Sequence, residues 1–421
     1  MAQTNLSTLE GFFTEAYGST YVNLPNDFAI ITNAKKLELA NRVGNKYNFP
    51  VILSMEQGLT LNTDGTAFTL NDAASLESQN AEVQAASSLI RGQIANAVIA
   101  RIGGGKKQFV SEVGPMIKLS SKSMAFHLEL SKLYGQSGLC VTTATTGLTS
   151  TTLSFTVSAG TWSAATWTNA KNMSVDFWSA NTGSGDTLLN TVGPMIVQSV
   201  AVATRVVTVS GAAADVTAIN ADETCTVFRY GAKTGDTTFT EPVGILKMAS
   251  NAGSLFGIDA ASYSLWLGNS VSVGANLTLS SVQDGCALLA AYGVTGKLDL
   301  YVSPKTWRFL LTEMTALRRF DESASSVKYE NGTQKIQFYS QTGVVEVISH
   351  PLVREGEAFL LKLDELHRIG SMEPAYKMNA DDPYIQRLSD KAGVEYRIFA
   401  DEALICEAPS HMVVFTGITN A

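Results

Sequence analysis

The sequence predicts an α+β fold built from unlike parts in series: an N-terminal arm, an extended β-hairpin loop, one long helix, an inserted all-β unit and a closing α/β unit. Three observations carry this reading. Helical spacing of apolar residues runs from about Lys107 to Tyr134, and a stretch from about Leu133 to Ala170, rich in Thr, Ser, Gly and Ala, has no charged residue at all. After Gly244, strand-like and helix-like patterns alternate.

The first 45 or so residues hold aromatic anchors, Phe12, Phe13, Tyr17, Tyr21 and Phe28, in polar sequence, with a helix expected from about Ala34 to Val43. Such an arm has little core of its own; it either frays or packs on neighbouring subunits. From Phe49 to about Ile99, the runs VILSM and AFTL flank Asn62, Asp64 and Gly65, the pattern of a two-stranded hairpin, and a run from about Ala81 to Ile90 is placed to return along it. A lone ribbon cannot bury both faces. Met55, Leu59, Leu61, Phe68 and Leu70 are the candidates for its buried face, packing either on their own subunit or on an adjacent chain.

In the long helix, Phe109, Val113, Met116, Ile117, Met124, Leu128 and Tyr134 recur at helical spacing, Gly135 is placed to end it, and Gly114 and Pro115 predict a bend. The Thr-rich texture then continues through MSVDFW, TRVVTVSG and CTVFRY to about residue 235. Its aromatic bulk, Trp162, Trp167, Phe177, Trp178 and Phe228, argues for a packed β unit instead of a linker. Beyond it, a helix is expected from Ser280 to Tyr292, a strand at LDLYV and, opened by Pro304, a helix from Lys305 to Leu317. Strands are expected at QKIQFYS, VVEVIS, AFLLKL, VEYRIFA and HMVVFTGI.

With 421 residues, 45% hydrophobic and 16% charged, the chain can hold two or three cores, and a net charge of -8 disfavours tight nonspecific binding to nucleic acid. Cys140, Cys225, Cys286 and Cys406 lack the short paired spacing of zinc or redox motifs, and His127, His350, His367 and His411 are scattered. No metal and no cofactor are expected. The opening residues lack the pattern of a secretory signal, so synthesis in the cytoplasm is expected and the four Asn-x-Ser/Thr sequons read as chance. No apolar run reaches bilayer length, the nearest being Ala287 to Val294.

Several short motifs fail on spacing. Gly103 to Lys106 lacks the leading glycine and the hydroxyl of a phosphate loop, and Gly135, Ser137 and Gly138 lack one residue of a nucleophile elbow. Arg318 and Arg319 beside Phe320 read as the end of a helix, and Asp364, Glu365 and His367 as acids in a helical first turn more simply than as an acid-base cluster. No catalytic residue is assigned, and an enzyme is not expected.

The order of these parts, with GKKQFVSEVGPMIKLSSKSMAFHLELSKLYGQSGL on the long helix and KLDLYVSPKTWRFLL followed by FYSQTGVVEVISHPLVREGEAFLL further on, resembles the major capsid proteins of tailed bacteriophages, the Hong Kong 97 fold, in a subfamily with a β-rich insertion. The resemblance implies an N-terminal arm at 1–45, an extended hairpin loop at 46–103 and a peripheral domain with the spine helix at 104–140. It further implies an inserted β domain at 141–235, a return to the peripheral domain at 236–270, an axial domain at 271–375 and C-terminal strands of both domains at 376–421. The function it implies is a self-assembling shell of hexamers and pentamers, icosahedral or prolate, around double-stranded DNA, formed in the host cytoplasm. Scaffolding, portal and decoration proteins are the implied partners, with the insert on the outer surface. Some members crosslink a lysine of the hairpin to a neighbour's asparagine; here no Lys or Arg stands between Tyr47 and Arg91, so a noncovalent shell is expected. No long charged helical segment precedes the arm, which implies a separate scaffolding protein or prior cleavage. Two rival readings are an encapsulin-like nanocompartment shell and a glycan-binding adhesin or tail-fibre module whose aromatic residues face ligand.

Overall fold

The computed structural model describes residues 35–36, 42–43, 46–62, 65, 68–72, 75–96, 105–179, 185–222, 224–318, 336–375, 386–388 and 391–420. The chain begins with β1 (Lys35–Lys36), β2 (Arg42–Val43), β3 (Lys46–Ile52), β4 (Ser78–Val83) and β5 (Ala86–Ala95), followed by helix α1 (Gly105–Tyr134). Strands β2, β3 and β4 form a small antiparallel sheet in which Phe49 faces Ala81 and Val51 faces Gln79. Helix α1 is continuous through Gly114 and Pro115.

A six-stranded closed barrel comes next, from β6 (Cys140–Thr146), β7 (Thr152–Val157), β8 (Ser174–Trp178), β9 (Met195–Ala201), β10 (Val206–Ser210) and β11 (Thr226–Arg229), with short helices α2 (Ala164–Thr168) and α3 (Ala213–Ala221). The strands alternate as period-two sequence demands: Leu153, Phe155 and Val157 point inward while Thr152, Ser154 and Thr156 point outward. Phe155 sits edge-on to Trp167 and Phe177 at centroid distances of 5.9 and 5.2 Å, a favoured aromatic geometry. Closure leaves this sheet no free edge.

The chain leaves α1 for the barrel and returns from it at one crossing. Gly244 donates its N–H to the Gly135 carbonyl at 3.0 Å, and a Cβ on Gly135 would stand 2.1 Å from the Pro242 carbonyl oxygen, so only glycine fits there. Gly135 thus ends the helix, as its sequence position predicts, and also lets two backbones touch.

The remainder comprises α4 (Ile245–Ala249), β12 (Ser254–Leu255), β13 (Ile258–Asp259), β14 (Asn269–Ser272), α5 (Leu279–Ala291), β15 (Leu298–Val302), α6 (Pro304–Arg318), β16 (Ile336–Ser340), β17 (Gly343–Ser349), β18 (Ala358–Leu361), β19 (Leu366–Ala375), β20 (Gln386–Arg387), β21 (Gly393–Cys406) and β22 (Val413–Thr416). A mixed sheet in the order β14-β22-β18-β15-β17-β16 packs Leu298, Leu300, Val345 and Phe415 against α5 residues Val282, Cys286 and Leu289. Thr278 and Ser303 cap α5 and α6 by accepting the N–H groups of Ser281 and Thr306, each at 3.2 Å. A second sheet, β1-β19-β21-β20 with β5 on β21, lies against α1 through Met124, Leu128, Ile398 and Ala400.

Buried polar pairs stitch α1 to these sheets. Lys132 reaches Glu402 at 3.1 Å, Arg368 reaches the same carboxylate at 2.5 Å, and Glu129 meets His350 at 3.1 Å. Arg354 stacks 3.9 Å over the Tyr134 ring, bonds Glu357 at 3.1 Å and donates to the Gly138 carbonyl at 2.6 Å, tying the end of α1 to the start of the barrel.

Several local expectations fail. Within the helix expected from Ala34 to Val43, the described residues Lys35–Lys36 and Arg42–Val43 are strands, β1 pairing in parallel with β19 and β2 antiparallel with β3. So short a segment is marginal as a helix on its own, and an open sheet edge offers the backbone better partners. The run AFTL is not a strand at its described residues; β4 is the partner of β3, while Asn71 donates its backbone N–H to Thr60 Oγ1 and its side-chain amide to the Leu59 carbonyl, each at 2.9 Å. The run from Ala81 to Ile90 divides, its first part pairing with β3 and its second with β21. After Gly244 the expected helices and strands are present, with β21 running on to Cys406, but the ten-residue strand β19 was not expected, and His367, read with Asp364 and Glu365 as a helical first turn, lies in it.

Candidate subunit interface

The loop from 52 to 76 projects from a built neck. At its base Leu53 and Ala81 are buried in the same core that takes Phe126 and Leu130 of α1, and Leu53 and Ser54 donate to the Glu77 carbonyl. Glu77 in turn donates its N–H to Ser54 Oγ at 3.0 Å, and Glu82 donates to the Phe256 carbonyl at 2.9 Å, which pins β4 to the body. Gln79 donates to the Tyr263 phenol at 3.2 Å; that phenol is raised above its ordinary range, first by its hydrogen bond to Glu77.

Above the neck the chemistry reverses. Met55, Leu59, Leu61, Phe68 and Leu70 are 52% to 82% exposed in the single chain, and Ile52 and Leu76, which the sequence reading did not single out, are exposed beside them. Scattered exposed leucines are ordinary, but seven large apolar side chains on one short segment are not. The structure thus brings Met55, Leu59, Leu61, Phe68 and Leu70 together on one loop and leaves them bare of their own subunit, while Phe12, Phe13 and Tyr17 lie outside the described residues. The local signal for Ile52 was present: it ends a strand whose neighbours Val51 and Leu53 turn inward, so alternation exposes it.

Elsewhere, the residues weighed for chemistry are engaged in structure. Glu365 pairs with His411 at 2.6 Å and with Lys362 at 2.7 Å, whereas His367 pairs with Glu407 at 2.6 Å, so these neighbours in sequence do not converge on one site. His127 is pushed down to about 3 by burial and then by Arg229, and burial raises the Cys225 thiol to about 12. All four cysteines are buried. Among the described residues no cluster of three His, Cys, Asp or Glu could hold a metal, and no helix is long and apolar enough to cross a membrane. Trp162, Trp167, Trp178, Phe177 and Phe228 are buried in or beside the barrel, which corrects the reading in which they face a glycan.

No protein-family model matches the chain, and no curated protein matches it. Solved structures do. A chain of the cyanophage A-1(L) capsid asymmetric unit aligns over 99% of this chain and 100% of its own, with a TM-score of 0.56 at 11% identity. A chain from the capsid of cyanophage P-SCSP1u aligns over 97% and 94%, with a TM-score of 0.47 at 8% identity. A chain of the holo-SrpI encapsulin complex from Synechococcus elongatus PCC 7942 aligns over 100% and 98%, with a TM-score of 0.43 at 8% identity. The chain therefore has the fold of a phage capsid protein.

Proposed function

We propose that the chain is the major capsid protein of a tailed bacteriophage, a noncovalent shell subunit of hexamers and pentamers that encloses double-stranded DNA. The observation that carries this is the bare apolar loop on a capsid-protein fold: a segment held at its neck yet uncovered by its own chain is built to be covered by another copy. Burial of each large side chain is worth about 1.5–3 kcal/mol before the costs of association, so one contact is modest. Ring and shell closure multiply such contacts into cooperative assembly.

In this reading, residues 46–103 form the extended loop, α1 is the spine, residues 141–235 are an insertion on the outer surface open to decoration proteins, and residues 271–375 are the axial domain. Scaffolding and portal proteins complete the head. The absence of Lys and Arg between Tyr47 and Arg91 supports a shell without lysine crosslinks.

Negative-stain microscopy of the purified protein tests the proposal. Closed shells of uniform diameter are expected, with nucleic acid inside particles taken from infected cells and no covalent ladder on a denaturing gel. Shells loaded with an enzyme instead of DNA favour a nanocompartment, and a compact monomer under all conditions refutes assembly.

A further inference from the structure

Beside the barrel lies a second, smaller cluster, built from Trp178, Phe228 and Ala232 with Leu188 and Phe239 packed against it. It encloses a lysine. Nζ of Lys233 lies 4.6 Å from the centre of the Trp178 ring, 5.5 Å from that of Phe228 and 5.4 Å from that of Phe239, and it meets Asp186 Oδ2 at 2.5 Å. The side chains of Lys233 and Asp186 are 0% and 1% exposed. Lysine and aspartate are almost never buried so completely unless they are paired, because each ion gives up its hydration.

Backbone hydrogen bonds hold both ends of this contact. Asp236 accepts the N–H groups of Gly185 and Asp186 at 2.7 and 2.9 Å, and Thr234 and Gly235 donate to the Thr238 carbonyl. The turn after Lys233 therefore grips the segment that carries Asp186. Lys233 bridges Phe239 across that turn, and Asp176 accepts the Gly231 N–H at 2.8 Å just before it. In an apolar enclosure, one proton passed from ammonium to carboxylate gives a neutral amine beside a neutral acid, a pair that low dielectric tolerates better than ions. A desolvated lysine amine is a nucleophile, and groups held in contact by a fold react at effective concentrations of about 10⁵ M or more.

We propose that Lys233 and Asp186 condense after folding into an isopeptide bond within the chain. The amine Nζ attacks Cγ of the neutral acid and a C–N bond forms. The C–O bond of the acid hydroxyl then breaks, and the hydroxyl leaves as water with a proton from the nitrogen. One ammonium and one carboxylate thus become one amide and one water, with no oxidant or further reactant. The bond joins the β8–β9 connection to the chain just beyond β11, so it fastens the barrel covalently to the turn that packs on it. This goes beyond the shell reading and holds whether or not the chain assembles. Both partners belong to one chain, so no ladder between subunits follows. All variants of Lys233 lack the bond alike, and differences among them report the ion pair alone.

Intact-mass spectrometry of the full chain, shown to be folded by a cooperative melt of its near-ultraviolet tryptophan signal, tests the proposal. The wild type is expected to weigh one water, about 18 Da, less than its sequence, while Lys233→Arg and Asp186→Ala keep their full sequence masses. Trypsin is expected to leave residues 172–205 and 230–247 joined as one branched peptide, because an acylated Lys233 is not cleaved. A folded wild type of full sequence mass overturns the proposal. So does the same mass loss mapped as an unbranched cyclic imide to Asp64 or Asp284, each followed by glycine, or as a branch at the other buried lysine pair, Lys132 and Glu402.

Discussion

The barrel and the loop from 52 to 76 solve the burial problem in opposite ways. The barrel closes its ladder on itself, keeps Leu153, Phe155, Val197 and Val207 away from water and shows threonine and serine outside. The loop instead holds Asn71 against Leu59 and Thr60 and shows water its leucines. A self-sufficient unit gains its stability within one chain; on the proposed reading the loop gains its own between chains. The difference separates two quantities that one experiment usually mixes, the stability of the subunit and the stability of the assembly.

The sharpest break between them is Leu59→Asp combined with Leu61→Asp. Both side chains are solvent-exposed in the subunit, so its thermal melt is expected to stay within about 0.5 kcal/mol of wild type. Shell formation is expected to vanish by light scattering, since every contact is repeated throughout a closed shell. If the melt falls with the scattering, the loop packs on its own body and the comparison fails.

The opposite result is expected from Trp167→Ala. Trp167 is fully buried beside Phe155, and deleting so large a core side chain costs about 3–5 kcal/mol. Calorimetry is expected to show the barrel melting early, with the loop neck unchanged in hydrogen exchange. A smaller loss is expected from the pair Lys233 and Asp186, which meet at 2.5 Å in full burial while the ammonium lies 4.6 Å from the centre of the Trp178 ring. Lys233→Met strands a buried carboxylate and is expected to cost about 3 kcal/mol, more than the Lys233→Met/Asp186→Leu double variant. Equal losses would show that packing, not charge, holds that corner.

The same contrast explains what was legible in the sequence. Elements that bury a regular face announce themselves: Met124, Leu128 and Tyr134 recur along α1, and LDLYV and VVEVIS become adjacent strands of one sheet. So does Pro304 at the start of α6. Elements whose partner is distant do not. Lys35–Lys36 read as helix because nothing local reveals the edge of β19 more than three hundred residues away, and AFTL read as a strand because alternation is blind to whether a partner exists. The candidate residues from Met55 to Leu70 were legible as apolar, and their exposure was not, because exposure depends on what the rest of the chain leaves uncovered.

The smallest expected effect lies at Glu365, away from both regions, and it supplies a control. Burial alone would raise this carboxyl, but hydrogen bonds from His411 and Lys362 outweigh it and hold the carboxyl below its ordinary range. A depressed folded value means that the charged form is favoured by folding, so the stabilisation is present above the unfolded value of about 4.3 and is lost as pH falls through the lower folded value. The group is partly solvated, so screening limits it to about 1 kcal/mol or less. Glu365→Gln is therefore expected to lower the melting temperature slightly at pH 7 and to flatten the acid limb of the stability curve below about pH 4.5. Shell yield at neutral pH is expected to be unchanged. A large loss of shells from this substitution would mean that assembly senses small changes in subunit stability, and the separation drawn between loop and barrel would no longer hold.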